Sequence, residues 1–256
     1  MTRLVDLELS PVSVLRLVNP PLNLVTLELT AHLEEALAAV AEHPDVRVLV
    51  VAGNDRAFCA GSDIGEFEAV HGRVVEAKLA RENAVYSALA QLPFPTIAAL
   101  EGDALGGGLE LALCCDVRIA ADGIRVGLPE VRLGAIPGSG GTQRLTRLVG
   151  PGRAKRLILS GELIDAQAAF DLGVVEMVVP RTTAESTALE FARGVSQRGP
   201  MAVREAKRLI DGAMEVPLVD GLAAELAASE RVFASEDILE GSRAFKEKRP
   251  PRFQGC

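Results

Sequence analysis

Apolar and polar residues alternate through positions 4–9, and an apolar run over 12–18 follows Pro11, so the spacing predicts a hairpin-like pair of strands at the start. Thr26 can cap a helix in which Leu29, Leu33, Leu37 and Val40 keep helical spacing, and His43-Pro44-Asp45 ends it. Residues 46–51 read as a buried strand that closes at Gly53. A loop at Ala60-Gly61-Ser62-Asp63 leads to a helical stretch over 76–92, stopped by Pro93 and Pro95. Residues 96–100 and 117–120 read as strands, with a short buried helix over 109–113 between them. A glycine-rich stretch, 134–141, precedes 142–149, and 151–159 has helical spacing. Residues 172–179 return to strand character. From Thr183 onward the pattern is helical, over 184–196, 201–212, 219–233 and 237–248. Strands alternate with helices early and helices dominate late. The predicted organisation is an α/β core over 1–195 with a helical C-terminal region over 196–256. No sequence repeat stands out, which leaves open strand–strand–helix units that repeat only in structure.

Composition changes this picture little. The 256 residues are 48% hydrophobic and 24% charged, the balance of a folded globular chain. With 27 basic and 35 acidic residues the formal charge is −8, and one Tyr and no Trp make a poor nucleic-acid platform. No apolar run reaches the ~18 residues of a membrane span. Asp6 and Glu8 interrupt the first apolar stretch, which lacks a signal-peptide core, so the cytosol is the expected location, with no membrane or nucleic-acid partner. Cys59, Cys114, Cys115 and Cys256 have no metal or redox spacing, and the adjacent pair reads as buried thiols. His32, His43 and His71 form no ligand pattern; the first two read as surface residues, and no metal site is expected.

Candidate chemistry begins with Gly106-Gly107-Gly108, set between a strand and an apolar helix start. Glycine there lets another molecule approach the backbone, and N–H groups at the helix start favour a negative oxygen. The turn at Ala60-Gly61-Ser62 can offer a second donor, and two converging donors make an oxyanion hole. Taken alone, each cluster is a tight turn. The segment Gly138-Ser-Gly-Gly-Thr-Gln143 lacks the third glycine of a dinucleotide fingerprint, and all three histidines precede Ser139, unlike the chain order of an α/β-hydrolase. Two carboxylates remain. Glu110 stands in an otherwise apolar stretch and Glu130 in Gly127-Leu-Pro-Glu-Val-Arg-Leu-Gly134. Desolvation would fit either for proton transfer near neutral pH. The plain alternatives are a buried ion pair of Glu110 with Arg118 or Arg144, and a surface position for Glu130.

Three segments resemble the enoyl-CoA hydratase/isomerase (crotonase) superfamily: Ala57-Phe-Cys-Ala-Gly-Ser-Asp-Ile64, Gly102-Asp-Ala-Leu-Gly-Gly-Gly-Leu-Glu-Leu-Ala112 and Pro129-Glu-Val-Arg-Leu-Gly-Ala-Ile-Pro-Gly-Ser-Gly-Gly-Thr-Gln-Arg-Leu145. Asn19-Pro-Pro-Leu-Asn23 and Phe245-Lys-Glu-Lys-Arg-Pro-Pro-Arg-Phe253 fit as well, so the resemblance spans the chain in order. It implies a spiral of ββα units with a helical trimerisation region, forming trimers or hexamers. It also implies thioester chemistry on an acyl-CoA, with no metal, flavin or nicotinamide. By position, the N–H groups of Ser62 and Gly107 would hold the thioester oxygen, and that of Gly138 would help place water. Glu130 would protonate the α-carbon and Glu110 would help activate the water. Ala60, Asp63, Ile64, Phe245 and Lys248 would bind coenzyme A, the last two completing a neighbouring subunit's pocket, while Ile64, Phe67 and the 65–73 loop would shape the acyl pocket. The basic cluster Arg243, Lys246, Lys248, Arg249 and Arg252 has a helix-end alternative.

Two glutamates favour an enoyl-CoA hydratase. The alternatives are an enoyl-CoA isomerase, which generally manages with one acid at the Glu130 position, another crotonase-type acyl-CoA lyase, or a non-catalytic acyl-CoA or RNA-binding scaffold. Dehydratases of carnitinyl-CoA type also keep two glutamates. The aspartates of dehalogenase-like and naphthoate-synthase-like members find no strong match.

Overall fold

The computed structural model describes residues 3–256. Strands β1 (Val5–Glu8) and β2 (Val12–Leu17) pair antiparallel, with Val5 opposite Leu17. Helix α1 (Leu27–Glu42) starts where Thr26 accepts the Leu29 N–H, and it buries Leu29, Leu33, Leu37 and Val40. Strands β3 (Val48–Ala52) and β4 (Ala57–Cys59) follow, then a 3-10 turn at Ile64–Glu66. A π-helical turn, Val75–Leu79, runs into α2 (Ala80–Ala90). Next come β5 (Thr96–Leu100), β6 (Asp103–Leu105) and α3 (Gly107–Ala112), then β7 (Val117–Ala121) and β8 (Arg125–Gly127). After a 3-10 turn at Glu130–Leu133 the chain forms α4 (Gly141–Val149), α5 (Pro151–Ser160), β9 (Ile164–Asp165), α6 (Ala166–Leu172) and β10 (Met177–Val179). It closes with α7 (Ala184–Ser196), α8 (Pro200–Gly212), α9 (Leu218–Phe233) and α10 (Glu236–Glu247).

The strands build two sheets, one ordered β1-β2-β3-β5-β7-β10 and one ordered β4-β6-β8-β9. Each successive pair, β3–β4, β5–β6 and β7–β8, gives one strand to each sheet, so the chain winds as a spiral of strand–strand units. Strands β3 and β5 are wholly buried, as their unbroken apolar runs require. Helix α7 lies across β2, β3, β5 and β7. Helix α8 is tied to the sheet by Lys207, whose ammonium meets Asp116. Asp116 also accepts the N–H and hydroxyl of Thr96, so it is a structural acceptor, as its place beside the apolar Cys115 suggests.

The second sheet is the main departure from the sequence pattern. Its strands are two or three residues long, too short for an alternation to register. Residues 172–179 are not one strand. Asp165 caps α6 by accepting the Ala168 N–H, Gly173 closes it with φ 79°, and only Met177–Val179 pairs with β7. Cys114 and Cys115 are buried thiols as expected. His32 is half-buried and its Nδ1 accepts the Leu4 N–H.

Candidate active site

The loop after β4 and the turn before α3 lie against each other. A side-chain carbon at Gly61, whose φ is 100°, would fall 3.0 Å from the Leu105 carbonyl oxygen and 3.6 Å from the Gly107 nitrogen. The loop is stapled to Val25: Val25 N–H donates to the Gly61 oxygen (2.9 Å), and Asp63 N–H donates to the Val25 oxygen (3.1 Å). Asn23, in a left-handed conformation with φ 50°, donates its amide to the carbonyls of Ala57 and Phe58 and so fixes β4 from below. Gly108 packs against the Cys59 carbonyl where a Cβ would stand only 2.0 Å away, so this turn needs glycine. Tyr86 donates to the Gly107 carbonyl at 2.9 Å. Among the described residues the N–H groups of Ser62 and Gly107 donate to no acceptor.

Glu110 lies one helical turn beyond Gly107, only 3% exposed. Its Oε1 accepts the N–H of Ser139 (2.8 Å) and of Gly141 (2.7 Å), both from the glycine-rich stretch leading into α4. The ion-pair alternative is therefore overturned. Arg118 turns to Glu176 and to the Val174 and Cys115 carbonyls, and Arg144 props the loop by donating to the Ser139 oxygen. Burial pushes the Glu110 carboxyl up to about 7, with a smaller push from the charges of Glu130 and Glu82, against the pull of the two N–H bonds.

Glu130 opens the 3-10 turn, and its Oε1 stands 3.4 Å from the point a Cβ on Gly106 would occupy. Both of its oxygens are buried without a partner, so the surface alternative fails for this carboxyl, and burial raises its pKa. The structure thus sets two carboxyls with raised pKa values and two free N–H donors around one glycine turn. Leu79 joins them as a wall: it packs on Gly138, where a Cβ would come within 2.9 Å of its Cδ1.

The coenzyme-binding expectations divide between two places. Ala60 and Asp63 shape the loop itself, the first donating to the Leu22 oxygen and the second capping the turn through Gly65, while Ile64 is 58% exposed beside them. Phe245 and Lys248 sit at the end of α10, whose hydrogen bonds run to the C-terminal segment and not to that loop. Arg249 is neutralised there by Glu240 and Glu247, so it leaves the free basic cluster.

Two buried charges escaped the sequence analysis. Lys78 and Glu82, each 1% exposed, stand four residues apart and face inward. Lys78 donates to the Val25 oxygen (2.9 Å) and to Glu66 (2.7 Å), and Glu82 accepts the Ser139 hydroxyl (2.6 Å). The signal was available, because both fall on the stripe of Val85, Tyr86 and Leu89 that the helix buries.

The spiral of strand pairs thus encloses a glycine turn flanked by two N–H groups without acceptors and two buried acids. The family model for enoyl-CoA hydratase/isomerase matches residues 9–256, and the chain belongs to that family. It has the crotonase fold and is an enzyme of the hydratase/lyase type. The rat protein named methylglutaconyl-CoA hydratase, mitochondrial, is 43% identical over 238 residues, covering 91% of this chain and 76% of its own. The Mycosarcoma maydis protein named enoyl-CoA isomerase/hydratase fer4 is 42% identical over 215 residues, covering 84% of this chain and 78% of its own. The crystal structure of enoyl-CoA hydratase from Bacillus anthracis superposes with a TM-score of 0.95 at 41% identity, covering 99% of this chain and all of that one. Among the described residues no helix is long and apolar enough to cross a membrane.

Proposed function

We propose that this enzyme adds water across the double bond of a trans-2-enoyl-CoA thioester. The observation that carries this reading is the pair of buried carboxyls, one cradled by two N–H groups and the other without any partner. The N–H groups of Ser62 and Gly107 would receive the thioester oxygen and stabilise the enolate charge that forms on it. Glu110, held through Oε1, keeps Oε2 for water and takes its proton as the water oxygen bonds the β-carbon. Glu130 gives its proton to the α-carbon, and a proton passed from Glu110 to Glu130 or through solvent restores both. Atoms and charge balance without any electron transfer, so the reaction calls for no flavin or nicotinamide, and the two N–H donors take the carbonyl-polarising role that a metal would otherwise fill.

Further support comes from the surface of the helical region. Met214, Leu218, Leu222, Leu226 and Phe233 are exposed apolar residues on or beside α9. Their cover by like subunits would give the trimer or dimer of trimers that this reading includes, with Phe245 and Lys248 of one subunit reaching a neighbour's coenzyme. The name methylglutaconyl-CoA hydratase, carried by the rat relative, makes a branched, carboxylate-bearing acyl group a substrate to try beside crotonyl-CoA. Free thiols at all four cysteines suit a reducing compartment such as the cytosol.

The isomerase reading is favoured by one feature, the unpartnered Glu130, which alone could carry a proton between the α and γ carbons. Purified protein is mixed with crotonyl-CoA, and loss of the conjugated enoyl-thioester absorbance is followed for wild type, Glu110→Gln and Glu130→Gln. Loss in wild type only supports hydration by both acids. No loss in wild type, with double-bond migration in a 3-enoyl-CoA that survives Glu110→Gln, turns the assignment to isomerase.

A further inference from the structure

We propose that Glu82 is a positioning residue for this reaction: it holds the Ser139 hydroxyl, and through Ser139 it aims the N–H that fixes the Glu110 carboxylate. Ser139 is fully buried and bridges two acids, its backbone N–H donating to Glu110 Oε1 at 2.8 Å and its hydroxyl to Glu82 Oε1 at 2.6 Å. The same Glu82 oxygen lies 3.5 Å from the point a Cβ on Gly107 would occupy. Glu82 therefore stands behind both the N–H donor and the water-activating acid, although it would touch neither substrate nor water.

A purely structural demand for an acceptor at this spot would be met more cheaply by a carbonyl or an amide. A buried carboxylate costs several kcal/mol of desolvation unless it is well paired. Glu82 is not fully paired: Oε2 has no hydrogen bond, and Lys78 stands 4.0 Å from it while already engaged with Glu66 and the Val25 carbonyl. The titratable groups around it are Lys78 and Tyr86 on its own helical segment, Glu66 beyond Lys78, Cys59 on β4 and Glu110 on α3. Burial raises the Glu82 pKa, and the charge of its ionised form adds to what burial does at Glu110, keeping that carboxyl a stronger base.

The kinetic arm of the test rests on the hydratase reading; the spectroscopic arm does not. Hydration of crotonyl-CoA is measured for wild type, Ser139→Ala, Glu82→Leu, Glu82→Gln and the Ser139→Ala/Glu82→Leu double variant. Ser139→Ala removes a single oxygen and leaves the loop backbone in place, so the test stands even where Glu82→Leu fails to fold. Ser139→Ala and Glu82→Leu are each expected to lower kcat about tenfold with KM within about twofold, because the lost aim acts on the chemical step. The double variant falls no further than the worse single one, because both changes break one link. Glu82→Gln keeps the acceptor and returns kcat to within about threefold of wild type, while the acid limb of its pH profile moves to lower pH. In parallel, the Glu110 carboxyl is titrated by carbon-13 NMR in the ligand-free protein, its signal assigned by its loss in Glu110→Gln. Its midpoint is expected to fall in Glu82→Gln. Unchanged kcat in Ser139→Ala, losses that multiply in the double variant, or an unmoved Glu110 midpoint in Glu82→Gln would each overturn the role of Glu82. A wild type that fails to hydrate crotonyl-CoA overturns the hydratase reading alone, and the Glu110 titration then still decides the role of Glu82.

Discussion

Glutamates at the glycine turn and on the last helices meet opposite fates. Glu110 and Glu130 are buried beside backbone N–H groups or nothing at all, and both hold their protons more tightly than usual. On the helices, Glu205 accepts from Arg231 and Arg208, and Glu240 accepts from Arg249 and the Arg252 N–H. These partners lower both carboxyls, Glu240 to about 2. The difference lies in what replaces water. A guanidinium fixes a carboxylate in its charged form and takes it out of proton chemistry. A pair of N–H dipoles orients Glu110 while leaving it able to take and return a proton near neutral pH. The glycine turn leaves Glu110 and Glu130 without a cation, although other acids of the spiral, such as Glu66 and Glu176, have one. The last helices supply cations to Glu205 and Glu240.

The sharpest way to break this comparison is to neutralise acids in both places. On the proposed hydration, Glu130→Gln removes the proton given to the α-carbon and is expected to lower kcat about 10²–10⁴-fold, with acyl-CoA affinity nearly unchanged in a binding titration. A variant that keeps most of its turnover would end the proton-donor assignment. Next in size is an effect of Glu110 on stability. Its carboxyl lies near 7 when folded against an ordinary 4.5, so the folded chain binds this proton more tightly than the unfolded one. Stability tied to that proton is complete below about pH 4.5 and is lost as pH rises through 7. Glu110→Gln should then unfold at higher denaturant than wild type above pH 7, by up to about 3 kcal/mol, with the gain vanishing in acid.

The same contrast explains what could be read from the chain in advance. Long periodic segments such as α1 and the apolar runs of β3 and β5 follow from spacing alone, because each buries enough side chains to set a period. Strands β4, β6 and β8 do not, yet they carry the turns that hold Ser62, Gly107 and Glu130 in place. Glu110 and Glu130 were visible as charges in apolar or glycine-bounded stretches, but their surroundings were not. Glu110's true donors lie 29 and 31 residues downstream, and backbone N–H groups leave no mark in a side-chain pattern. Lys78 and Glu82 were marked only by their place on the buried stripe, and the exposed Glu76 and Arg81 between and beside them read as an ordinary solvated helix. Phe245 and Lys248 stay apart from the site because no contact within one chain requires them there.

A change of shape without a change of charge sharpens the account of Glu110. A Cβ at Gly141 would stand 2.9 Å from Glu110 Oε1 and equally close to Leu128 Cδ1 and Pro137 Cβ. Gly141→Ala should push the carboxylate off its two donors and cost about 10- to 100-fold in kcat, with little change in acyl-CoA affinity. Steady-state rates beside a binding titration check this, and a tighter KM with normal kcat would contradict it.

The smallest effect belongs to the surface. Glu205→Gln breaks the link to Arg231 that joins α8 to α9 and the link to Arg208 within α8, but it touches nothing near the glycine turn. Exposed pairs of this kind hold little energy, and salt screens what they hold. Turnover should stay within about twofold of wild type, because the residue is remote from the reacting groups. The melting temperature should drop slightly at low salt, and the drop should disappear in about 1 M salt. Because arginine lowers the Glu205 carboxyl, its contribution is present above the ordinary carboxylate range and fades as pH falls, the reverse of the Glu110 trend. Thermal melts of the two variants across pH should therefore slope in opposite directions relative to wild type. Parallel slopes would show that partner chemistry does not separate the two sets of acids.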